Sequence, residues 1–417
     1  MIARRVQLTV RHMLAGMRVV LVHGPRQCGK TTVAASISHE LGGHMVSLDD
    51  PTQHATAASD PTGFLSQRSG LVVLDEIQRA PDLYRAIKVR VDRDQRAGQF
   101  LLTGSANLAF LPELSDALAG RMAIVPMWPL SQAEILGGRT SIVDALFDSD
   151  RLKDPRQKFA SSDIESAIVA GGFPEAIRQT DPGTRAMWFG SYLQTVLERD
   201  LRWLSSIEAL SDMPLLLRLL ASRTSGTTNN TDLSRLMGIP NMSVKRYVAL
   251  MEATFLVQRL PAWMSNRGLR LTRSPKLVMV DTGLGCSLLG VDEARLRADR
   301  QTLGPLLENF VIMEVIKQLG WSGTRAKSYH FRNYKGQEVD LVLETPDGQV
   351  VGIEVKAGAT IRKDDFAGLY ALREAAGKNF VRGVILHLGS GMVPFSTDMA
   401  SMPVSALWSE HTAAPRG

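Results

Sequence analysis

Cysteine is scarce: Cys28 and Cys286 are the only two in 417 residues. That excludes a disulfide framework and makes a reducing cytoplasm the expected location. Long hydrophobic runs are missing as well. The apolar stretch Leu14–His23 is too short to span a bilayer and is broken by Gly16 and Arg18. Met1–Arg11 lacks the apolar centre of a secretory signal, so no membrane association is expected. No internal repeat is visible, which sets solenoid architectures aside. Charge of one sign does not dominate. A formal net charge of +6 is mildly basic, compatible with a polyanionic partner but not demanding one.

What is present is an ordinary globular composition, 44% apolar, which is enough for a packed core. The length implies two or three domains at about 150 residues each. Arg18–His23 is apolar and β-branched on both faces, as a central parallel strand should be. Further strands are expected at His44–Leu48, Leu71–Leu74 and Gln99–Leu102, each ending in polar residues, with helical stretches between them. This alternation describes a parallel α/β sheet of the doubly wound kind.

Gly24-Pro25-Arg26-Gln27-Cys28-Gly29-Lys30-Thr31-Thr32 lies between the first strand and a helix, where a phosphate-binding P-loop belongs. Such a loop needs small residues so that backbone N–H groups can face phosphate, a lysine for the β/γ charge and a hydroxyl for Mg²⁺. Gly24, Gly29, Lys30 and Thr31 supply these. Leu71–Leu74 then delivers Asp75 and Glu76 at a strand end. Asp75 is the expected Mg²⁺ partner and Glu76 the expected general base for the attacking water. After the next strand, Ser105 is the expected γ-phosphate sensor, with Thr103 and Asn107 as alternatives. Arg121 is a candidate arginine finger or sensor, and its use in trans would require an oligomer. Arg26 is a weaker candidate for that role. The ligands implied are ATP and Mg²⁺.

From about Ala133 the pattern turns helical, including Met187–Trp203 and Met213–Arg223. Thr231–Met237, a turn at Gly238 and a second helix from Asn241 have helix–turn–helix spacing, and Phe255–Leu260 would follow as the strand of a wing. Asn241, Ser243, Lys245 and Arg246 are the candidate DNA contacts. Strands return at Lys276–Val280, Tyr329–Arg332, Val339–Glu344, Val350–Lys356 and Val381–Leu388, flanked by helices near Leu306–Leu319 and Asp365–Ala375. Asp340 on one strand and the Glu354-x-Lys356 pair on the next could bind a divalent metal and activate water for phosphodiester cleavage, with Glu308 completing the shell. The domain boundaries expected are 1–135 for the ATPase, 136–265 for the helical and winged-helix middle, and 266–417 for a nuclease-like α/β domain.

Taken together, the chain resembles prokaryotic AAA+-like ATPases that carry a C-terminal domain of unknown function with a restriction-endonuclease-like core. The matching stretches are Gly24–Thr32, Leu74–Pro81 (LDEIQRAP), Leu102–Ser105, Leu118–Arg121, Gly171–Glu175 (GGFPE), Tyr192–Leu201, Pro275–Gly283 (PKLVMVDTG), Leu306–Asn309 (LLEN) and Glu338–Lys356. The resemblance implies ATP hydrolysis, a winged-helix segment, a PD-(D/E)xK type fold similar to Holliday-junction resolvases, and ring or other homo-oligomeric assembly. The chain departs from the nuclease pattern at the first acid, where Glu338-Val339-Asp340 stands in place of a Pro-Asp dipeptide. Three functions remain open: an ATPase that remodels or moves along DNA, an ATP-dependent switch that binds a protein partner, and an ATP-licensed nuclease.

Overall fold

The computed structural model describes residues 2–105, 112–148, 152, 159–200, 210–227, 229–266, 268, 270 and 273–409. The chain forms two compact units, one made of Ala3–Pro129 with Leu250–Leu256, the other of Leu130–Ala249 with the chain from Val257 onward. No helix of the described residues is long and apolar enough to cross a membrane.

The first unit is built on five strands: β1 (Val19–His23), β2 (His44–Ser47), β3 (Val72–Asp75), β4 (Phe100–Gly104) and β5 (Met122–Pro126). They lie in the order β2-β3-β4-β1-β5, with every pairing parallel. β1 is buried along its whole length because it sits between β4 and β5 with helices packed on the sheet. Val20 and Val22 share one face with Val73, Leu101 and Val125. The helices Val6–Gly16 and Lys30–Glu40 cover that face through Val10, Leu14, Val33 and Ile37. The first four strands fall where the sequence places them. β5 gave no signal: it is a partly exposed edge strand ending at Pro126, with little alternation to read.

Leu250–Leu256 also belongs to this unit, although it follows β5 by more than half of the helical middle. Phe255, at φ +57°, stands edge-on to His23 and to Trp128, with ring centroids 5.4 and 5.8 Å away.

In the second unit the helices Met213–Ser222 and Asn230–Met237, and the helix Asn241–Ala253 as far as Ala249, precede a hairpin of β6 (Val257–Leu260) and β7 (Lys276–Met279). Asn229 caps the second of these helices, accepting hydrogen bonds from the N–H groups of Thr231 and Asp232, and Gly238 ends it in the left-handed conformation. This is a helix–turn–helix followed by a two-stranded wing. The helix expected at Met187–Trp203 is observed as Pro182–Thr195, followed by a π-turn at Val196–Asp200; Trp203 lies outside the described residues.

A six-stranded mixed sheet closes the unit: β8 (Lys327–Arg332), β9 (Glu338–Glu344), β10 (Val350–Lys356), β11 (Phe380–His387), β12 (Val393–Pro394) and β13 (Met399–Pro403), in the order β12-β13-β11-β10-β9-β8. β8, β9 and β10 form an antiparallel meander, while β10, β11 and β13 run parallel. The helix Ala367–Ala376 buries Leu369 and Leu372 against Val339, Val342 and Ile385. The helix Arg300–Leu319 is buried through most of its 20 residues.

Candidate functional site

The P-loop lies at the carboxyl end of β1, where the polar ends of β3 and β4 also arrive. Its glycines are needed for different reasons. A side chain at Gly24 would put a Cβ 1.9 Å from the carbonyl oxygen of Met127, so only hydrogen fits. Gly29 has φ +98° and Gln27 φ +58°, an alternation that turns successive backbone N–H groups into a concave anion nest. The helix Lys30–Glu40 then starts with no side-chain cap and no acid in its first turn, which leaves its amino-terminal N–H groups for a phosphate. Lys30 is buried in the loop and donates to the carbonyls of Gly24 (3.0 Å) and Pro25 (2.7 Å).

Beside it, the Thr31 hydroxyl donates to both oxygens of Asp75 at 3.1 and 3.0 Å. A hydroxyl and a carboxylate together are oxygen donors of the kind Mg²⁺ takes, so these residues fit the ion. Thr103 donates to Asp75 Oδ1 at 2.5 Å and accepts from the backbone N–H of Glu76 at 3.0 Å, so one buried threonine fixes both acids. Glu76 is in the left-handed region, with φ +58° and ψ +48°. Ser105 Oγ donates to Glu76 Oε2 at 3.0 Å, Gln78 Nε2 donates to Ser105 Oγ at 3.0 Å, and Gln78 Nε2 also donates to Glu76. Glu76, Ser105 and Gln78 thus form a closed triangle. Thr103, weighed above as a sensor, is wholly buried and engaged with the acids; Asn107 lies outside the described residues.

The two adjacent acids are pushed in opposite directions. Burial raises the Asp75 carboxyl, only partly offset by the Thr103 and Thr31 hydrogen bonds, and the charge of Glu76 adds to the rise. Burial also acts to raise Glu76, but Lys30, Gln78, Arg26 and Ser105 outweigh it and hold the carboxyl below its usual range. Glu76 is therefore ionised at neutral pH. His23, one residue before the loop, is kept neutral, lowered to about 4 by burial and then by the charge of Lys30.

Two residues of this site have no role assigned from the sequence. Gln78, inside the LDEIQRAP stretch, is one. Arg4 is the other: its guanidinium donates to the carbonyls of Cys28 (2.5 Å) and Trp128 (2.7 Å), bracing the loop from the amino-terminal segment.

The structure does not bring Arg121 to this site. Arg121 immediately precedes β5, whose first residue pairs with Val19 and whose last pairs with His23. It therefore sits at the opposite end of the sheet, about 15 Å away at some 3.3 Å per residue. There it pairs with Asp92 at 2.5 and 3.0 Å. It cannot serve its own P-loop, which removes action in cis.

A family model described as "AAA domain" matches residues 17–136. Residues 17–136 form an AAA-type P-loop ATPase domain. Two further models match, each described as a domain of unknown function: DUF8612 over residues 161–295 and DUF4143 over residues 303–407. Uncharacterized proteins of Mycobacterium tuberculosis and Mycobacterium bovis are 29% identical over 401 residues, covering 95% of this chain and 82% of theirs. Among solved structures, the Walker-type ATPase of Pyrococcus abyssi aligns with a TM-score of 0.43 at 14% identity, over 69% of this chain and 96% of that one. A mutant RuvB of Thermotoga maritima aligns with a TM-score of 0.31 at 18% identity, over 61% and 89%.

The ATPase domain is followed by motifs that turn out to be architecture. Asp281, 1% exposed, caps the helix Thr282–Leu289 by accepting from Leu284 N at 3.0 Å, and also accepts from Gly172 N at 2.6 Å. Gly172 O accepts from Leu130 N, and Leu130 O accepts from Lys317 Nζ at 3.0 Å. Asn309 accepts from Met279 N at 2.7 Å and donates to Met279 O at 2.8 Å, pairing with β7 as another strand would. The GGFPE, PKLVMVDTG and LLEN stretches are thus one buried hydrogen-bonded network.

Of the candidate DNA contacts, Lys245 and Arg246 are exposed on the helix Asn241–Ala253, while Val244, Tyr247 and Val248 face the core. Asn241 donates to Thr231 Oγ1 at 3.1 Å, tying the two helices together, and Ser243 is half-buried. The candidate nuclease residues do converge. Lys276 Nζ lies 2.7 Å from Glu308 Oε1 and 3.1 Å from Asp340 Oδ1, and Lys356 Nζ lies 2.8 Å from Glu354 Oε1. Lys276 was not foreseen in this group. Burial, followed by the charge of Asp340, raises Glu308 well above its usual range and pushes Glu354 up to about 7.

Proposed function

We propose that the protein is a Mg²⁺-dependent ATPase that binds DNA and couples hydrolysis to remodelling or movement of DNA, including branched DNA. The observation that carries the hydrolytic part is the linked set Thr31, Asp75, Thr103, Glu76 and Ser105 at the strand ends beside the P-loop. In this reading Lys30 and the nest formed with Gly24 and Gly29 hold the phosphates. Thr31 and Asp75 hold Mg²⁺, which when bound neutralises phosphate charge. Glu76 takes the proton of the attacking water, and Ser105 senses the γ-phosphate through the same carboxylate. Arg121 acts on a neighbouring protomer's nucleotide, which calls for a ring or other homo-oligomer. The working division is 1–135, 136–265 and 266–417, in a cytoplasmic protein.

Lys245 and Arg246, side by side on the second helix of the helix–turn–helix, support the DNA part, because paired cations there can meet phosphates while Asn241 and Ser243 flank them. The test is the ATPase rate against duplex, branched and single-stranded DNA at two salt concentrations, with mass measured with and without nucleotide. Stimulation that falls steeply with salt and is lost in Lys245→Ala/Arg246→Ala supports the reading. Glu76→Gln should trap ATP without turnover, and normal turnover there would remove Glu76 from its role.

A second reading makes the protein an ATP-dependent switch that docks a protein partner on the C-terminal sheet. It is favoured by the ion pairing of the acidic cluster there, which also weighs against an ATP-licensed nuclease. ATPase activity indifferent to every DNA at either salt would select this second reading.

A further inference from the structure

A metal-dependent nuclease centre needs carboxylate oxygens open to the ion. The oxygens gathered on β9, β10 and the helix Arg300–Leu319 are largely engaged. Glu308 Oε1 and Asp340 Oδ1 share the ammonium of Lys276. Asp340 Oδ2 accepts from the backbone N–H of Val355 at 2.9 Å, and Glu354 Oε1 accepts from Lys356. Two ammonium groups therefore stand against three carboxyl groups, leaving too little charge to draw in a dication. Among the described residues, no three His, Cys, Asp or Glu side chains stand together as metal ligands would. The donor set does not fit the divalent ion that the nuclease resemblance implies.

Lys276 is held in this position by its backbone. It pairs with Leu260 across the β6–β7 hairpin and bridges to Thr227 on its other side, and its side chain is 3% exposed. A cation arriving from solvent would have to displace a buried ammonium that has two carboxylate partners.

We propose that Lys276 is the resident cation of this cluster: its ammonium takes the place a divalent metal would need, and the acids serve as an ion-paired latch that fastens the wing strand β7 to β9 and to the helix Arg300–Leu319. The latch stands independently of whether ATP is hydrolysed. It also says what removal of the lysine would do. Glu308 and Asp340 would be left facing the space the ammonium had filled.

The test is Mn²⁺ binding to the full chain without nucleotide, read from the loss of the free-ion electron paramagnetic resonance signal. Wild type, Asp340→Asn, Lys276→Ala and the double variant are compared, so that any Mn²⁺ held near the P-loop cancels. Wild type and Asp340→Asn should bind equally. Lys276→Ala should gain a site of sub-millimolar affinity that disappears in the double variant. A site present in wild type and lost in Asp340→Asn would overturn the proposal. So would a Lys276→Ala protein with native circular dichroism and no added site. If Lys276→Ala does not fold, the comparison of wild type with Asp340→Asn still decides whether a metal or the lysine holds the cluster.

Discussion

Replacing Gln78 with leucine keeps the side-chain volume and removes one donor. In the native site that donor reaches both Glu76 and Ser105, and Ser105 reaches Glu76 in turn. Glu76 needs this support because its backbone is left-handed, a conformation costing about 1–2 kcal/mol outside glycine. A hydrogen bond to a charged group contributes about 1.5–3 kcal/mol. If losing that bond frees the carboxylate from the position it needs to meet the attacking water, kcat falls by about 10- to 150-fold. Gln78 makes no hydrogen bond to the P-loop, so KM for ATP should move by less than about threefold. The pH profile gives a second readout. Gln78 helps hold Glu76 below the usual carboxylate range, so without it the carboxyl rises and the acid limb of kcat moves to higher pH. Steady-state phosphate release from pH 5 to 8, with nucleotide affinity as the folding control, measures both. A kcat within twofold of wild type and an unmoved acid limb would refute the reasoning.

Arg121→Ala should lower kcat about a thousandfold if the arginine serves a neighbour's nucleotide. Mixing it with Lys30→Ala, itself inactive, should then restore turnover; an Arg121→Ala protein of wild-type rate reduces the residue to a surface partner of Asp92. In Gly172→Ala the new Cβ would stand 2.3 Å from Leu130 O, a backbone atom that cannot yield cheaply. Stability should drop by more than about 3 kcal/mol with nucleotide affinity retained, measured by urea unfolding beside a nucleotide titration. His23 takes a proton near pH 6.5 when unfolded but only near pH 4 when folded, so its contribution is complete above 6.5 and is lost as pH falls toward 4. Between pH 7 and 5 the wild type should lose about 2 kcal/mol more than His23→Phe, and equal losses would show that His23 titrates normally.

The parts of the site that are local in sequence were legible there. A loop of nine residues and two acids at a strand end are written contiguously; β1 and β3 show as β-branched runs, and β2 and β4 as short apolar runs closed by polar residues. Roles set by distant contacts were not. Arg4 reaches Trp128, and Lys276 reaches Glu308 and Asp340 through the fold alone. β13 is buried throughout, yet Met-Ala-Ser-Met-Pro contains no β-branched residue to betray it. The motifs of the helical middle were visible as motifs, but whether Asp281 and Asn309 made chemistry or architecture depended on partners far along the chain.

Phe255 has a consequence for biosynthesis. The ring that closes on His23 and Trp128 leaves the ribosome on the order of a hundred residues after the last strand of its own sheet, so the nucleotide unit emerges unfinished and must wait, its aromatic socket wet, while most of the helical middle is made. A chain that stalls or is clipped before Leu250 would therefore carry every residue of the P-loop and still lack the piece that completes the unit around it.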